Sequence, residues 1–536
     1  MTGPRHADRA SSASVIGELL RERAGQHPDR PFLGSGDDLL TYAEVDERSD
    51  CVAAGLAALG AGPGDRIAVI SANRVEIFEL FFACAKLGAV DVPLNVFLKG
   101  EFLHYQLEDS QASTLVADGS GVAAVDAMLA DLPALERLVR LDDTDSDRAA
   151  TSWKELRETP TDPPRPDIAP SSLMSILYTS GTTGMPKGCM LPHGWYMNHA
   201  HVTGEMLDYG PDDVLFTALP LYHGQAKGMV MSALVNHLTA WIDPIFSVGH
   251  IFDRFIDTNA SVFVGVGAMG AAMLAGPPSE SDRQHRLRAA LMMPFTPEQQ
   301  EAFKDRFGTT VLAQLYGQTE CGAIAYSRLS EPRNLASIGR AAPFYDVRLF
   351  DDDDREVPTG EVGEICVRPK VPYATYLGYW RDPEATIESW RNLWHHTGDC
   401  GRIDADGFIT FVDRKTDALR RRGENVSSQE LERAIATHPK IAESAVHAVP
   451  SPMTEDDIKA CIVLEAGAET SPDEVFDFFK QTLPYFAIPR YVDLMNELPK
   501  TATMRVQKHL LRSAGVTPTT WDFESLGLSV AREDRR

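Results

Sequence analysis

Apolar positions along this chain recur at two periods, and the periods alternate. Residues 15–24 carry them at helical spacing, and 40–44 read as a strand running into a helix start. Helical spacing returns over 49–59. Residues 66–71, Arg-Ile-Ala-Val-Ile-Ser, form the short continuous apolar run of a strand buried on both faces. A helix is predicted over 74–87 and a strand over 89–94. Strands alternating with helices indicate α/β layers built on parallel sheets. The alternation continues between 213 and 315. Over 339–367 short strands separated by turn residues replace it, which predicts a small β-rich subdomain. The strand predicted over 408–412 then meets the charged run Asp413-Arg-Lys-Thr-Asp417, where a domain boundary is placed. The expected architecture is a large N-terminal domain, 1–414, of two α/β layers plus the β-rich subdomain, and a small α+β domain, 415–536. The small domain shows strands over 441–448, 460–464 and 491–494 and a helix over 472–483.

Composition narrows the picture. A chain of 536 residues exceeds what one hydrophobic core serves, so at least two domains are required. Hydrophobic residues make up 43% and charged residues 24%, the balance of a soluble globular protein. No apolar run reaches the roughly 18 residues of a membrane helix. A net charge of −26 argues against nucleic acid or an anionic membrane as partner, and requires a locally basic pocket for any anionic ligand. Cys51, Cys84, Cys189, Cys321, Cys366, Cys400 and Cys461 are odd in number and lack paired metal spacing, as expected of reduced thiols in a cytoplasmic protein. Both termini are polar and expected to fray.

Candidate chemistry concentrates first in Tyr178-Thr-Ser-Gly-Thr-Thr-Gly-Met-Pro-Lys-Gly188, which follows a predicted strand over 173–177. Gly181 and Gly184 let the backbone approach a ligand closely, Thr179, Ser180, Thr182 and Thr183 supply hydroxyls, and Lys187 supplies a cation. Successive N–H groups in such a loop make an anion-binding concavity, so it reads as a polyphosphate loop. No Gly-Lys-Ser/Thr closes it, so it is not the Walker A pattern. In Gln314-Leu-Tyr-Gly-Gln-Thr-Glu320 a strand end is expected to enter a turn at Gly317, offering Thr319 to phosphate and Glu320 to Mg²⁺. A carboxylate at a helix start is the plainer reading of Glu320. In His396-Thr-Gly-Asp399 a Gly turn precedes an Asp suited to a ribose hydroxyl, and Arg414 follows downstream.

In this order, these motifs resemble the adenylate-forming superfamily of acyl-CoA synthetases, luciferases and peptide-synthetase adenylation domains, over nearly the whole chain. Among its branches the chain is most similar to bacterial ligases of the crotonobetaine/carnitine-CoA type. The resemblance implies ATP, Mg²⁺ and CoA as cofactors and a small-molecule acid as substrate; it leaves a homodimer open. It places Thr179, Ser180, Gly181, Thr182, Thr183, Gly184 and Lys187 on the β- and γ-phosphates, Thr319 on the α-phosphate, Glu320 on Mg²⁺, and Asp399 and Arg414 on the ribose. Gln314, Tyr316 and Gly317 belong to the same nucleotide-binding set. His223 matches the family's acyl-site aromatic or His; a turn residue beside Pro220 and Tyr222 is the alternative. The run from Arg421 to Glu430 resembles the family's hairpin and following helix, and the resemblance implies that the small domain is mobile, turning about a hinge near Thr416, with Gly423 approaching pantetheine.

Two departures stand out. Where the family has Pro-Lys-Thr-x-x-Gly-Lys, this chain reads Pro499-Lys-Thr-Ala-Thr-Met-Arg505, so Arg505 stands in place of the catalytic Lys. Arg505, Lys500 or Lys508 is left to bridge carboxylate and α-phosphate. Met292 and Met293 occupy positions where the adenine face usually has small residues, and are expected to crowd it. The acyl pocket is expected to use His223, Gly224, Gln225, Ala226, Gly228, Gly265, Gly267, Met269 and Gln314. Lys227 either adds a polar group there or points to solvent. Polar lining favours a small or polar carboxylic acid activated as an acyl-adenylate and passed to CoA. The alternatives are a diazotase of secondary metabolism that adenylates nitrite for attack by an aryl amine, and a ligase whose acceptor is a carrier-protein thiol.

Overall fold

The computed structural model describes residues 14–142, 150–159, 162–179, 185–351, 353–414, 418–421, 424–451, 456–500, 506 and 508–530. Two seven-stranded sheets carry the large domain. One runs in the order Thr310–Leu312, Ala289–Met293, Val262–Val266, Val214–Thr217, Thr239–Ile242, Pro31–Ser35, Asp38–Thr41, parallel until its last, antiparallel strand. The other runs Thr151–Ser152, Arg137–Arg140, Thr114–Ala117, Arg66–Ile70, Val90–Pro93, Leu173–Thr179, Lys187–Pro192, again parallel until its last pair.

The helix Val75–Leu87 is buried almost all round, and ends on Gly88 at φ 72°, a left-handed turn that suits glycine. Its Phe82 lies 6.1 Å from Phe32 of the first sheet and its Phe81 lies 5.4 Å from Tyr196. One apolar helix thereby ties the layers together. The helix Tyr42–Ala58 begins where the pattern changes period, at a capping box made by Thr41 and Glu44.

The β-rich subdomain is larger than 339–367. Its antiparallel sheet, Tyr345–Phe350, Val362–Pro369, His395–Ile403, Ile409–Arg414, continues to Arg414. The Thr-Gly-Asp sequence reads as a turn, yet it lies inside the strand His395–Ile403, with Gly398 at φ 73°. The small domain has the sheet Ile441–Pro450, Asp456–Leu464, Tyr491–Met495, Trp521–Asp522. Its helix Pro472–Thr482 buries Val475, Phe476 and Phe479, with Phe476 5.2 Å from Phe523. The expected hairpin forms from Ala418–Arg421 and Glu424–Ser427, followed by the helix Ser428–Ile435. Phe97 of the large domain meets Tyr485 of the small one at 4.7 Å. No helix among the described residues is long and apolar enough to cross a membrane.

Candidate active site

Leu173–Thr179 and Lys187–Pro192 form a hairpin whose register sets Thr179 opposite Lys187. Pairing alone therefore brings the Lys187 cation to the neck of the loop. Ser180, Gly181, Thr182, Thr183 and Gly184, the loop itself, lie outside the described residues. The Lys187 ammonium sits 5.0 Å above the Tyr379 ring, and the Tyr379 hydroxyl donates to Glu320 Oε1 at 2.8 Å. Glu320 is 8% exposed. Burial pushes its carboxyl above the ordinary range, against the pull of Tyr379 and Lys187. Burial and the Glu320 charge raise the Tyr379 hydroxyl strongly, so it remains a donor.

Glu320 does not start a helix. It closes a tight turn between Leu315–Gln318 and Gly322–Tyr326, with Thr319 beside it in the same cleft. Gly317 sits within the first strand rather than in the turn; a Cβ there would meet the Gly322 carbonyl oxygen at 2.0 Å. Across the cleft Asp399 is 4% exposed. Its Oδ2 accepts from the Tyr316 hydroxyl at 2.7 Å and from Gln318 Nε2 at 3.1 Å. The strand pairing sets Asp399 opposite Arg414. Thus one strand, Leu315–Gln318, braces the ribose candidate and its turn carries the metal candidate.

Thr179, Tyr316, Gln318, Thr319, Glu320 and Asp399 line a cleft of about 1870 Å³. His223 lines it at the start of the helix Gly224–Asn236, its ring 4.7 Å from Tyr222. Its backbone N–H also caps the turn from Pro220 at 3.1 Å, so the turn and the cleft placement coexist. Gly224, Gln225, Gly228, Met269 and Gln314 line the cleft as expected. The Gln314 amide is held by the Leu335 carbonyl at 3.1 Å and by Gln300 at 3.3 Å.

Several expected pocket residues are elsewhere. Ala226 is fully buried in the core. A Cβ on Gly265 would strike the Phe263 ring, and one on Gly267 would meet the Pro294 carbonyl oxygen at 1.7 Å; both glycines serve packing. Lys227 neither enters the pocket nor reaches solvent. It is 0% exposed and paired with Asp91, itself fully buried, with its ammonium 4.9 Å from the Phe81 ring. Met292 packs inside with Phe216 and Phe263, leaving Met293 alone of the pair in the cleft wall. The crowding expected of both methionines reduces to one side chain.

Gly423, Thr416 and Arg505 lie outside the described residues, as does the side chain of Arg414. Both other candidates for the bridging cation are engaged within the small domain. Lys500 pairs with Glu443 at 2.6 Å, and Lys508 with Glu432 at 2.7 Å and Ser428 at 2.7 Å. Sequence reasoning missed Tyr379, Gln318, Trp195 and His199. The last two line the cleft with rings 4.8 Å apart. Tyr379, Trp195 and His199 sit in no recognisable motif; Gln318 lies inside the Tyr-Gly-x-Thr-Glu run, where a signal was present.

The profile of the AMP-binding enzymes matches residues 20–380, and that of the AMP-binding enzyme C-terminal domain matches 430–505. A crotonobetaine/carnitine–CoA ligase of Shigella sonnei is 32% identical over 462 residues, 85% of this chain and 89% of the relative. Among solved structures, a double mutant of the o-succinylbenzoate CoA synthetase of Bacillus subtilis, bound with a product analogue, has a TM-score of 0.81 at 26% identity, over 93% of this chain and 98% of that one. An anthranilate CoA ligase in complex with anthranoyl-AMP has a TM-score of 0.72 at 25% identity, over 95% and 99% of the two chains. With the cleft, its motifs and both domain profiles in agreement, the chain belongs to the AMP-binding enzyme family and is an AMP-forming ligase.

Proposed function

We propose that this ligase activates a small or polar carboxylic acid with ATP and transfers the acyl group to the thiol of CoA. The observation that carries this is one cleft lined by Thr179, Thr319, Glu320 and Asp399, with Tyr379 holding Glu320 and the Lys187 ammonium over the Tyr379 ring. In the first step a carboxylate oxygen bonds to the α-phosphorus while the bond to the β-phosphate oxygen breaks, and pyrophosphate leaves. Two anions must meet, so fixed cations and donors have to offset the developing charge. Lys187 serves the departing phosphates, Thr319 the α-phosphate, and Asp399 with Arg414 the ribose.

Glu320 fits Mg²⁺: it is a buried carboxylate whose hydrogen-bond partner on one oxygen is a neutral donor, the Tyr379 hydroxyl. When bound, the ion supplies further charge neutralisation to the phosphates. His223 faces the acid. In the second step the thiol sulfur attacks the acyl carbon, AMP leaves, and the thiol proton passes to solvent or to AMP. The domains 1–414 and 415–536 turn about a hinge near Thr416, which withdraws Arg505 and brings Gly423 toward the pantetheine.

Pyrophosphate release with a panel of carboxylic acids, with nitrite plus an aryl amine, and with no acid tests the reading. Release that requires a carboxylic acid, followed by a CoA thioester, is expected. Release with nitrite alone among the acids overturns it in favour of the diazotase.

A further inference from the structure

Sequence spacing pairs no cysteine with another ligand, but strand register does. Val362–Pro369 and His395–Ile403 are antiparallel neighbours in which Cys366 lies directly opposite His396. Directly opposed residues project from the same face, as do residues two apart on one strand. Glu364 is thereby added to the pair. The result is compact: Cys366 Sγ lies 3.3 Å and Glu364 Oε2 3.0 Å from His396 Nδ1, and all three ligand atoms fall within 4.8 Å of one another. Glu364 is 4% exposed and Cys366 0%.

We propose that Glu364, Cys366 and His396 form a binding site for a thiophilic divalent cation of the zinc class, separate from the Mg²⁺ position at Glu320. Bond lengths of about 2.0–2.3 Å at tetrahedral angles place neighbouring ligand atoms roughly 3.3–3.6 Å apart, so the two separations from His396 Nδ1 need to open by only a few tenths of an ångström, while Cys366 and Glu364, within 4.8 Å of each other, settle to the same spacing. The donor set of thiolate, imidazole and carboxylate suits zinc rather than magnesium or calcium. The far ring nitrogen, Nε2, stands 3.7 Å from Asp354 Oδ1, beyond hydrogen-bond distance, so a carboxylate is at hand to orient the imidazole once the ring shifts to bind. The Gly398 N–H donates to Glu364 Oε1 at 3.1 Å and fixes that carboxylate.

One group competes. Arg391 lies 2.9 Å from His396 Nδ1 and 3.6 Å from Glu364 Oε2, but its side chain is 46% exposed and can swing into solvent. Binding displaces this guanidinium and the Cys366 proton, leaving a fourth position for water. Because Gly398 adjoins Asp399, the cation would stiffen the strand that holds the ribose candidate.

Titration of the full-length protein with Co²⁺ tests the site. The expected result is a stoichiometric sulfur-to-cobalt charge-transfer band that Zn²⁺ quenches. The band should vanish in Cys366→Ser and His396→Gln, and Arg391→Ala should tighten Co²⁺ binding by about threefold or more through loss of the competing cation. Absence of a band in the wild-type protein overturns the proposal without recourse to any variant. A band that persists in Cys366→Ser overturns it too, since another cysteine then binds the cobalt.

Discussion

Two buried carboxylates of the large domain have opposite surroundings. Asp91 lies on the strand Val90–Pro93 and is fully buried. It accepts from Ser175 at 3.2 Å, which in turn accepts from Tyr196 at 3.0 Å, and it is paired with Lys227. Glu320 lies at the rim of the cleft with a tyrosine hydroxyl on one oxygen. Lys187, whose charge acts on Glu320, stands over the Tyr379 ring. Asp91 is neutralised inside the fold and joins the strand of one layer to the helix Gly224–Asn236 of the other. Glu320 is held in place but incompletely neutralised, as a residue that completes its charge balance with a ligand would be. A carboxylate–cation neighbourhood marks structure when both members are sealed, and function when the cation is offset and the carboxylate meets a cavity.

The largest effect should come from breaking the sealed pair. Lys227→Met leaves Asp91 buried without its cation and should cost about 3–5 kcal/mol of stability. The double variant with Asp91→Asn should recover most of that loss. Urea unfolding of both proteins measures it, and equal stabilities for the single and double variants would dissolve the contrast with Glu320.

Glu320→Gln sharpens the comparison from the other side. It should lower kcat/KM for pyrophosphate release about tenfold or more while leaving the melting temperature unchanged or raised, because a buried charge is removed. Lys187→Ala should show the same split. A fall in stability matching that of Lys227→Met would place Glu320 with the structural group.

The smallest effect concerns pH. Burial holds His193 and His199 neutral, with pKa values down at about 4 against an ordinary 6.5. Below 6.5 the unfolded chain therefore binds protons that the folded chain does not, and stability falls as pH falls toward 4. Glu320, with its raised pKa, works in the opposite direction. His199→Phe should remove up to about 2 kcal/mol of the stability lost between pH 6.5 and about 5. Chemical denaturation at the two pH values reads it; an unaltered slope would mean that His199 is protonated in the fold.

The sequence by itself determined the layers, the order of the motifs and the family. Apolar periodicity reports which face a residue presents to its own element, and that is a local property. The strand over 66–71, the helix start within 40–44 and the helix over 472–483 were all legible for this reason. Glu320 and Asp399 were legible as well, because their neighbours in the chain form recognisable runs and the resemblance assigns both to one nucleotide; that Tyr316 and Gln318 brace Asp399 was not. A polar residue inside an apolar run announces that it has a partner, and Asp91 within Val90–Pro93 carried that signal without naming Lys227, 136 residues away. Only the tertiary structure decided that Lys227 is internal, that Met292 turns inward while Met293 does not, that Tyr379 bridges Lys187 and Glu320, and that Cys366 faces His396. The physical reason is common to all four. Each depends on a separation between elements or on a strand register, and these are settled when whole faces pack to exclude water.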